Sequence, residues 1–334
     1  MRDFDLSLLS KYRNELMGFS AILILICHST GNGITMPRYL SYLLAQGQIG
    51  VDIFLFLSGM GLWFSLYKFY NDNSLCQSKH CIKRWYSIRY TRLFVPYLII
   101  IGGMTTVECV MKNETLWFWL SKISTLEYWL SHRASWFVAL LIPLYFITPI
   151  IFRLFTGRGT TSFVFLTIIC YFIALIPDDT KDWTLFKNIQ FAVIRVPDFL
   201  FGMYLASMIK EGKHINFYLL IAMLVGACII LCFAKKMVYT YLFIIIPLMY
   251  FICRTFSLFD KSKYTKLCSF FGVISLESYL WNTTLAMVIA PLMNMFNIPD
   301  YNNIVMYLFV IFLGTVLSVF VHKVSAPIIE KCRK

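Results

Sequence analysis

The sequence predicts an all-α protein that crosses a membrane several times. Of its 334 residues, 59% are hydrophobic and only 14% are charged, and the mean hydropathy is +0.70. A soluble domain of this composition would expose large apolar patches. Apolar stretches of membrane-spanning length recur about ten times, and they lack the period-two alternation of barrel strands. We therefore expect a polytopic helical bundle of about ten transmembrane helices.

The predicted spans are the uninterrupted apolar stretches of the chain. Each is apolar on all sides, which is typical of a helix inside a bilayer, where every backbone polar group must be paired within its own segment. The ten spans are 16–28, 51–67, 93–111, 136–155, 162–176, 189–208, 217–234, 239–256, 270–293 and 304–321.

Lysine and arginine set the predicted orientation. With both termini in the cytoplasm, 21 of the 30 Lys and Arg residues lie on or beside the inner segments, 8 lie in outer loops, and Arg195 lies within a helix. This bias follows the positive-inside rule. The net charge of +13 is thereby explained by topology and by contact with the anionic headgroups of the lipid bilayer, so no nucleic-acid partner is predicted.

The chain 1–334 is expected to be a single membrane domain with no appended soluble domain. It contains no evident repeat or low-complexity segment, and its longest polar stretches, 68–92 and 112–135, are too short to fold separately. The first fifteen residues lack the basic region, short apolar core and cleavage site of a secretory signal. The first helix is therefore expected to be retained.

Cysteine usage predicts neither disulfides nor a metal site. Six of the ten cysteines lie inside apolar stretches, where the thiol behaves as a small hydrophobic group. Cys76, His80 and Cys81 share a polar loop, but a fourth ligand is missing and their spacing is not that of a zinc site. We therefore assign no metal ligands.

Ionisable side chains within the spans are the first candidates for chemistry, because charge in hydrocarbon costs free energy. His28 ends the first span and Asp52 begins the second, so both are predicted at the outer face, where the carboxylate would orient the imidazole as a general base. The structural alternative is that His28 only caps a helix end. Arg195 and Asp198, three residues apart, are explained equally well by an internal ion pair.

A second candidate constellation lies on the cytoplasmic side of the third span. Arg84, Arg89 and Arg92 alternate with aromatic residues and lead into Tyr97. Guanidinium groups bind phosphate oxygens in bidentate fashion, and aromatic side chains cover planar rings. This combination suits a nucleotide-like anion, although a simple positive-inside anchor has the same composition.

Together these residues resemble the membrane-bound acyltransferase-3 family, bacterial enzymes that acylate, most often O-acetylate, cell-surface glycans, lipopolysaccharide, peptidoglycan or exported small molecules. The resemblance extends over nearly the whole chain in the order of its motifs. They are Arg13-Asn14-Glu15-Leu16-Met17-Gly18 before His28, Gly50-Val51-Asp52-Ile53-Phe54 with Ser58-Gly59, the series Arg84, Arg89, Arg92, Pro96 and Tyr97, Trp136-Phe137 with Tyr145 and Pro149, Arg195-Val196-Pro197 with Gly202, and Ser275-Leu276-Glu277-Ser278-Tyr279-Leu280.

One position departs from the family pattern. Many members carry an arginine eleven residues before the histidine, where this chain has Met17. Arg13 lies one helical turn earlier and is one candidate to replace the missing arginine. The alternative is that this branch of the family uses another basic residue.

The resemblance implies an acyl-CoA-dependent O-acyltransferase of the bacterial cytoplasmic (inner) membrane. It moves an acyl group, acetyl by family precedent, from cytoplasmic acetyl-CoA to a hydroxyl of an extracytoplasmic acceptor such as a surface polysaccharide. His28 is then a general base or acyl relay. The predicted catalytic residues are His28, Asp52, Ser58 and Glu277; the donor-binding residues are Arg84, Arg89, Arg92 and Tyr97; the substrate-binding residues are Arg13, Tyr145 and Arg195.

Two other classes of function fit the same composition. A proton-coupled transporter or flippase of a glycan or lipid would also use internal His, Asp, Glu and Arg side chains. A non-catalytic membrane receptor is the third class. The cytoplasmic arginine series favours the enzyme, because a transporter needs no site for the phosphates of CoA.

Overall fold

The computed structural model describes residues 3–31, 37–72, 79–131, 136–177, 184–295 and 303–332. Within them, two short strands, β1 (Phe4–Asp5) and β2 (His214–Ile215), form one antiparallel pair with Phe4 opposite Ile215. All other regular structure is helical, which confirms the predicted class. The helices are α1 (Ser7–Lys11), α2 (Arg13–Gly31), α3 (Arg38–Ala45), α4 (Ile49–Asp72), α5 (Lys79–Tyr97), α6 (Gly103–Lys112), α7 (Leu116–Ile123), α8 (Leu126–Leu130), α9 (Trp136–Leu175), α10 (Thr184–Val193), α11 (Val196–Lys210), α12 (Phe217–Ala234), α13 (Tyr241–Leu258), α14 (Lys263–Val273), α15 (Ser275–Met295) and α16 (Asn303–Lys331).

Seven helical stretches in the described ranges are long and apolar enough to cross a membrane: Arg38–Asn71, Ile82–Lys112, Trp136–Leu175, Leu185–Lys210, Phe217–Ala234, Met237–Leu258 and Ile304–Lys331. The predicted count of ten therefore stays a prediction. One reason for the difference is α9, whose 40 residues cover two predicted spans and contain a non-helical residue, Arg158 (φ −137°, ψ 60°).

The polar connections contain more helix than the sequence predicts. Helix α3 lies within the predicted outer loop 29–50, and α7 and α8 lie within 112–135. The arginine-rich segment is also helical, since α5 begins at Lys79, well before the predicted span at 93. Pro96 ends the regular hydrogen-bonding pattern of α5, because its ring nitrogen donates no hydrogen bond. A π-helical turn, Leu98–Gly102, follows directly.

Helix α12 shows why this chain needs a bilayer. Only 11% of its most apolar eighteen-residue window is buried by the rest of the protein. Large apolar side chains such as Phe233 and Tyr218 point outward along it. In water this surface would drive aggregation, so its natural solvent is lipid, and the chain is a multi-pass membrane protein.

The described chain forms two compact units, each built from separated stretches. Unit 1 comprises 1–20, 48–76 and 146–273; unit 2 comprises 21–47, 77–145 and 274–334. Because the units interleave along the sequence, neither is a consecutive domain of the usual kind. The expected single domain, 1–334, remains a prediction.

Unit 1 is organised around close packing of α4 on α11. A Cβ atom added at Gly202 would overlap the backbone carbonyl of Phe56, and one added at Gly59 would overlap the carbonyl of Phe199. Small residues that let backbones approach are the common contact surface between membrane helices. The structure therefore supports a packing role for Gly59. Gly61 has a related role, because the Arg13 guanidinium occupies the space beside it.

Substituting Gly202 by alanine is expected to destabilise unit 1 by about 1–3 kcal/mol, the usual cost of overpacking a core. The added methyl meets backbone, which cannot rotate away. The measurement is the midpoint of thermal unfolding in detergent. Gly226→Ala is the matched control, because a Cβ there lies 3.6 Å from the Phe243 ring, an ordinary contact. Equal midpoints for the two variants would contradict close packing at Gly202.

Unit 2 contains the C-terminal part of α2 together with α3, α5 to α8, the start of α9, α15 and α16. Within it, α5 packs against both α15 and α16, which also pack against each other. The Cys27 thiol donates a hydrogen bond to the Ala45 carbonyl at 3.3 Å, which joins α2 to α3. This unit contains both the histidine at the end of α2 and the arginine-bearing helix α5.

Candidate functional site

The first part of the candidate site surrounds His28, in the last turn of α2. Its imidazole is half-buried, and its Nδ1 atom lies within hydrogen-bonding distance of the side-chain amide of Asn282 on α15. The other end of that amide is 3.4 Å from the hydroxyl of Tyr307 on α16. The Tyr307 hydroxyl also donates a hydrogen bond to the Leu25 carbonyl, one turn before His28. We call this set, His28, Asn282, Tyr307 and the Leu25 carbonyl, the histidine cluster.

The histidine cluster fixes the orientation of the His28 imidazole. Asn282 and Tyr307 are each only 5% exposed, so their polar atoms depend on one another for hydrogen bonds. A ring nitrogen held by an oriented partner is the usual arrangement around a histidine that acts as a general base. In the histidine cluster, Nδ1 is the ring nitrogen that Asn282 contacts.

Asp52, which is predicted from the sequence to pair with His28, has a charged partner within unit 1. The predicted pairing of His28 with Asp52 stays a prediction. Asp52 is completely buried in unit 1 and forms an ion pair with Arg195, which is 2% exposed. The Nη2 atom of Arg195 also donates to Oε1 of Gln48 at 3.1 Å. His28 has its own partner in unit 2. A buried carboxylate needs a full opposite charge to offset its desolvation, and Arg195 supplies one where a neutral imidazole does not.

The Asp52–Arg195 pair is completed by a second carboxyl group and two aromatic rings. Asp198 is 2% exposed and interacts electrostatically with Asp52 and with Arg195. The Arg195 guanidinium is 5.6 Å from the centroid of Phe191 and 5.9 Å from that of Tyr241. Arg195 is therefore part of an internal ion pair, and the partner that the structure shows is Asp52 in place of the predicted Asp198. Burial of the whole group gives Arg195 a structural role. Its predicted contact with substrate stays a prediction.

The predicted donor-binding residues follow one helix, α5. Arg84 and Arg92 are exposed and Arg89 is half-buried, with its guanidinium 6.0 Å from the Trp85 ring. An aromatic stack runs along the same helix from Tyr86 to Tyr90 (6.1 Å between centroids) and from Tyr90 to Phe94 (5.7 Å). The helix therefore presents guanidinium groups beside a ladder of aromatic rings.

Two tyrosines of the predicted site, Tyr97 and Tyr145, contact other groups of the protein. Tyr97 is fully buried, and its hydroxyl donates to the Lys122 carbonyl at 2.9 Å. Burial and this hydrogen bond give Tyr97 a packing role, and its predicted role in donor binding stays a prediction. Tyr145 is half-buried with its ring 6.2 Å from that of Tyr90, which places it beside the aromatic stack.

A match to a family model now decides the class of protein. The model is described as an acyltransferase domain, and it matches residues 16–323. The chain belongs to the acyltransferase-3 family. No curated protein and no solved structure matches this acyltransferase-3 chain. The match includes all the predicted site residues except Arg13.

The remaining predicted residues of this acyltransferase-3 protein have mixed surroundings. Glu277 is buried, with Oε1 3.0 Å from Nδ1 of His322 on α16. Ser58 is half-buried on α4. Arg13 donates from Nη2 to the Leu57 carbonyl at 3.2 Å, so at least part of its guanidinium contacts α4. Catalytic roles for Ser58 and Glu277 stay predictions.

Sequence reasoning missed Asn282, Tyr307, Gln48 and His322. The first three are uncharged, so a search for ionisable residues in spans passes over them, and His322 lies one residue beyond the last predicted span. A search for amide and hydroxyl groups inside apolar helices would have found Asn282 and Tyr307, because such groups also need partners in hydrocarbon.

In the described part of the acyltransferase-3 chain, no three His, Cys, Asp or Glu side chains cluster as metal ligands. Of the loop residues considered for zinc, Cys76 and the side chains of His80 and Cys81 lie outside the described residues. The eight described cysteines are all free thiols.

Proposed function

We propose that this acyltransferase-3 protein transfers an acyl group, acetyl by family precedent, from cytoplasmic acyl-CoA to a hydroxyl group of an extracytoplasmic acceptor. The proposed acceptor is a surface polysaccharide, a common substrate of the family it resembles, and the proposed location is the bacterial inner membrane. The observation that carries the proposal is the half-buried His28 imidazole, held at one nitrogen by Asn282 within a member of an acyltransferase family.

The donor is proposed to bind along α5. CoA carries phosphate groups and an adenine ring, which match the two kinds of side chain on this helix. Arg84, Arg89 and Arg92 are suited to the phosphate oxygens, and the aromatic ladder supplies flat surfaces for a planar base. From Leu16 to His28, twelve helical steps of about 1.5 Å cover roughly 18 Å. A distance of this order between a cytoplasmic phosphate site and His28 suits the extended pantetheine arm.

The chemistry is written as one acyl transfer. The acceptor hydroxyl oxygen attacks the thioester carbonyl carbon while Nε2 of His28 takes the hydroxyl proton. The tetrahedral oxyanion then collapses, the carbon–sulfur bond breaks, and the CoA thiolate leaves and takes up the proton. The products are an ester and free CoA. Ser58, Tyr145 and Arg195 are three candidates for the group that donates to the oxyanion. The burial of Arg195 in an ion pair makes it the weakest of the three.

The experiment that tests the proposal is an assay of purified protein in lipid nanodiscs with acetyl-CoA, in which release of free CoA thiol is measured. In parallel, surface glycans of expressing cells are compared by mass spectrometry. Thiol release together with an acetyl increment on the glycan is the expected result. Neither signal with any acceptor would contradict the proposal and favour the transporter or flippase. Longer acyl-CoA donors, tested in the same assay, decide whether acetyl is preferred.

A two-step path through an acyl-enzyme on His28 or Ser58 is the variant mechanism. It predicts an acylated protein when the acceptor is withheld. Intact-mass spectrometry of protein incubated with acetyl-CoA alone is the measurement. We expect no adduct, in agreement with single-step transfer, and a stoichiometric adduct would replace general-base catalysis with a relay.

Neutralising two arginines of α5 is expected to weaken donor binding. In the double variant Arg89→Gln/Arg92→Gln, KM for acetyl-CoA should rise by about a hundredfold to ten-thousandfold, because each lost hydrogen bond to a charged group costs about 1.5–3 kcal/mol and every 1.4 kcal/mol is tenfold. The turnover number kcat should change little. Steady-state kinetics of thiol release give both constants.

The matched control is Arg153→Gln, which removes an exposed arginine of α9 in unit 1. It should leave KM unchanged. An unaltered KM in the double variant would mean that these arginines serve only as a membrane anchor.

A further inference from the structure

The hydrogen bonds of the histidine cluster determine which nitrogen of His28 carries the proton. The Leu25 carbonyl can only accept a hydrogen bond, so the Tyr307 hydroxyl must donate its single proton there. That proton is then no longer available for Asn282. The Tyr307 oxygen therefore meets the near end of the Asn282 amide, 3.4 Å away, as an acceptor.

This assignment decides the orientation of the amide. An amide oxygen facing the Tyr307 oxygen would bring two acceptors together, whereas the NH2 group in that place donates to it. The oxygen and nitrogen of an asparagine amide have nearly the same shape, and their assignment rests on the hydrogen bonds around them. The orientation in which each of these contacts joins a donor to an acceptor puts Nδ2 toward Tyr307 and Oδ1 toward His28.

An amide oxygen beside Nδ1 of His28 requires a proton on Nδ1. We propose that Asn282 and Tyr307 are positioning residues that hold neutral His28 with its proton on Nδ1 and its lone pair on Nε2. The hydrogen bonds of the cluster then all point in one direction. His28 Nδ1–H donates to the Asn282 oxygen, the Asn282 NH2 group donates to the Tyr307 oxygen, and the Tyr307 hydroxyl donates to the Leu25 carbonyl. The catalytic consequence, an Nε2 ready to accept a proton, rests on the proposed function; the tautomer itself does not.

The test is nitrogen-15 NMR of protein labelled at histidine, in nanodiscs at a pH where His28 is neutral. The His28 signals are those lost in His28→Gln. We expect a protonated Nδ1 and an unprotonated Nε2. A protonated Nε2 would overturn the proposal whatever the enzyme's activity. If the expected tautomer is found but no acyl transfer occurs with any acceptor, the proposed function fails and the tautomer assignment stands.

Variants at position 282 separate positioning from packing. Asn282→Asp can accept from Nδ1–H but cannot donate in its ionised form, so it should keep the tautomer and most of the acyl transfer. Asn282→Leu removes the acceptor, so the Nδ1–H preference should be lost and transfer should fall by about tenfold to a hundredfold, the range typical for an outer partner of a functional histidine. Thr283→Val is the matched control, because its hydroxyl bonds only to carbonyls of its own helix. An unchanged tautomer in Asn282→Leu, or its loss in Asn282→Asp, would contradict the proposal.

Discussion

Replacing His28 by alanine is expected to lower the rate of acyl transfer by about a hundredfold to ten-thousandfold, the usual contribution of a general base. The imidazole is the one titratable side chain of the histidine cluster suited to take a proton near neutral pH. Its partner Asn282 and the hydroxyl of Tyr307 remain in the variant but do not replace it. The measurement is the acetyl increment on surface glycans, together with thiol release by the purified protein at matched membrane levels.

The control variant is His214→Ala, which removes a histidine that is not part of the histidine cluster. His214 lies on β2 in unit 1, and its side chain is 56% exposed. This variant should transfer acyl groups at the wild-type rate. His28→Ala should also unfold at the wild-type temperature or close to it, so that loss of activity reports chemistry. Wild-type transfer by a folded His28→Ala protein would remove His28 from the mechanism.

Breaking the buried ion pair is expected to be the most destabilising single change in unit 1. Arg195→Met removes the guanidinium and leaves the carboxyl groups of Asp52 and Asp198 buried without it. Loss of one partner of a buried pair typically costs about 3–5 kcal/mol, because the remaining charge stays desolvated. The measurement is the free energy of unfolding from a denaturing-detergent titration of protein in mixed micelles.

The double variant Asp52→Asn/Arg195→Met tests whether the effect comes from the orphaned charge. It should recover part of the stability lost in Arg195→Met, which gives a positive coupling in the double-mutant cycle. Arg153→Met, at an exposed arginine, should unfold like the wild type. If Arg195→Met unfolds like Arg153→Met, the pair makes no net contribution to stability.

The helical membrane class followed from composition, and the positions of most helices followed from the apolar stretches. Helix boundaries were predicted less accurately, because hydropathy does not show where a polar segment is helical or where the backbone leaves the helix. The arginine-rich segment joined α5 because Lys, Arg and aromatic residues all form helices at little cost. Arg158, by contrast, interrupts α9.

Partners in the candidate site could not be predicted in the same way. Gly59 lets the Phe199 carbonyl approach, and Gly202 lets the Phe56 carbonyl approach, so α4 and α11 pack closely. This close packing accompanies the ion pair between Asp52 on α4 and Arg195 at the start of α11. Sequence spacing instead favoured Asp198, three residues from Arg195. The difference arises because a contact between helices depends on the rotation and depth of each, which hydropathy does not specify.

By itself, the sequence determined that this protein is a multi-pass helical membrane protein, that it resembles the acyltransferase-3 family, and that His28 and the α5 arginines are its leading candidates. These properties are carried by composition and by residue types along the chain. Only the tertiary structure decided that Asp52 forms an ion pair with Arg195 and that Glu277 contacts His322. It also decided that Asn282 contacts both His28 and Tyr307. Buried polar groups must find partners within hydrogen-bond distance, and those partners come from helices far apart in sequence, so packing alone selects them.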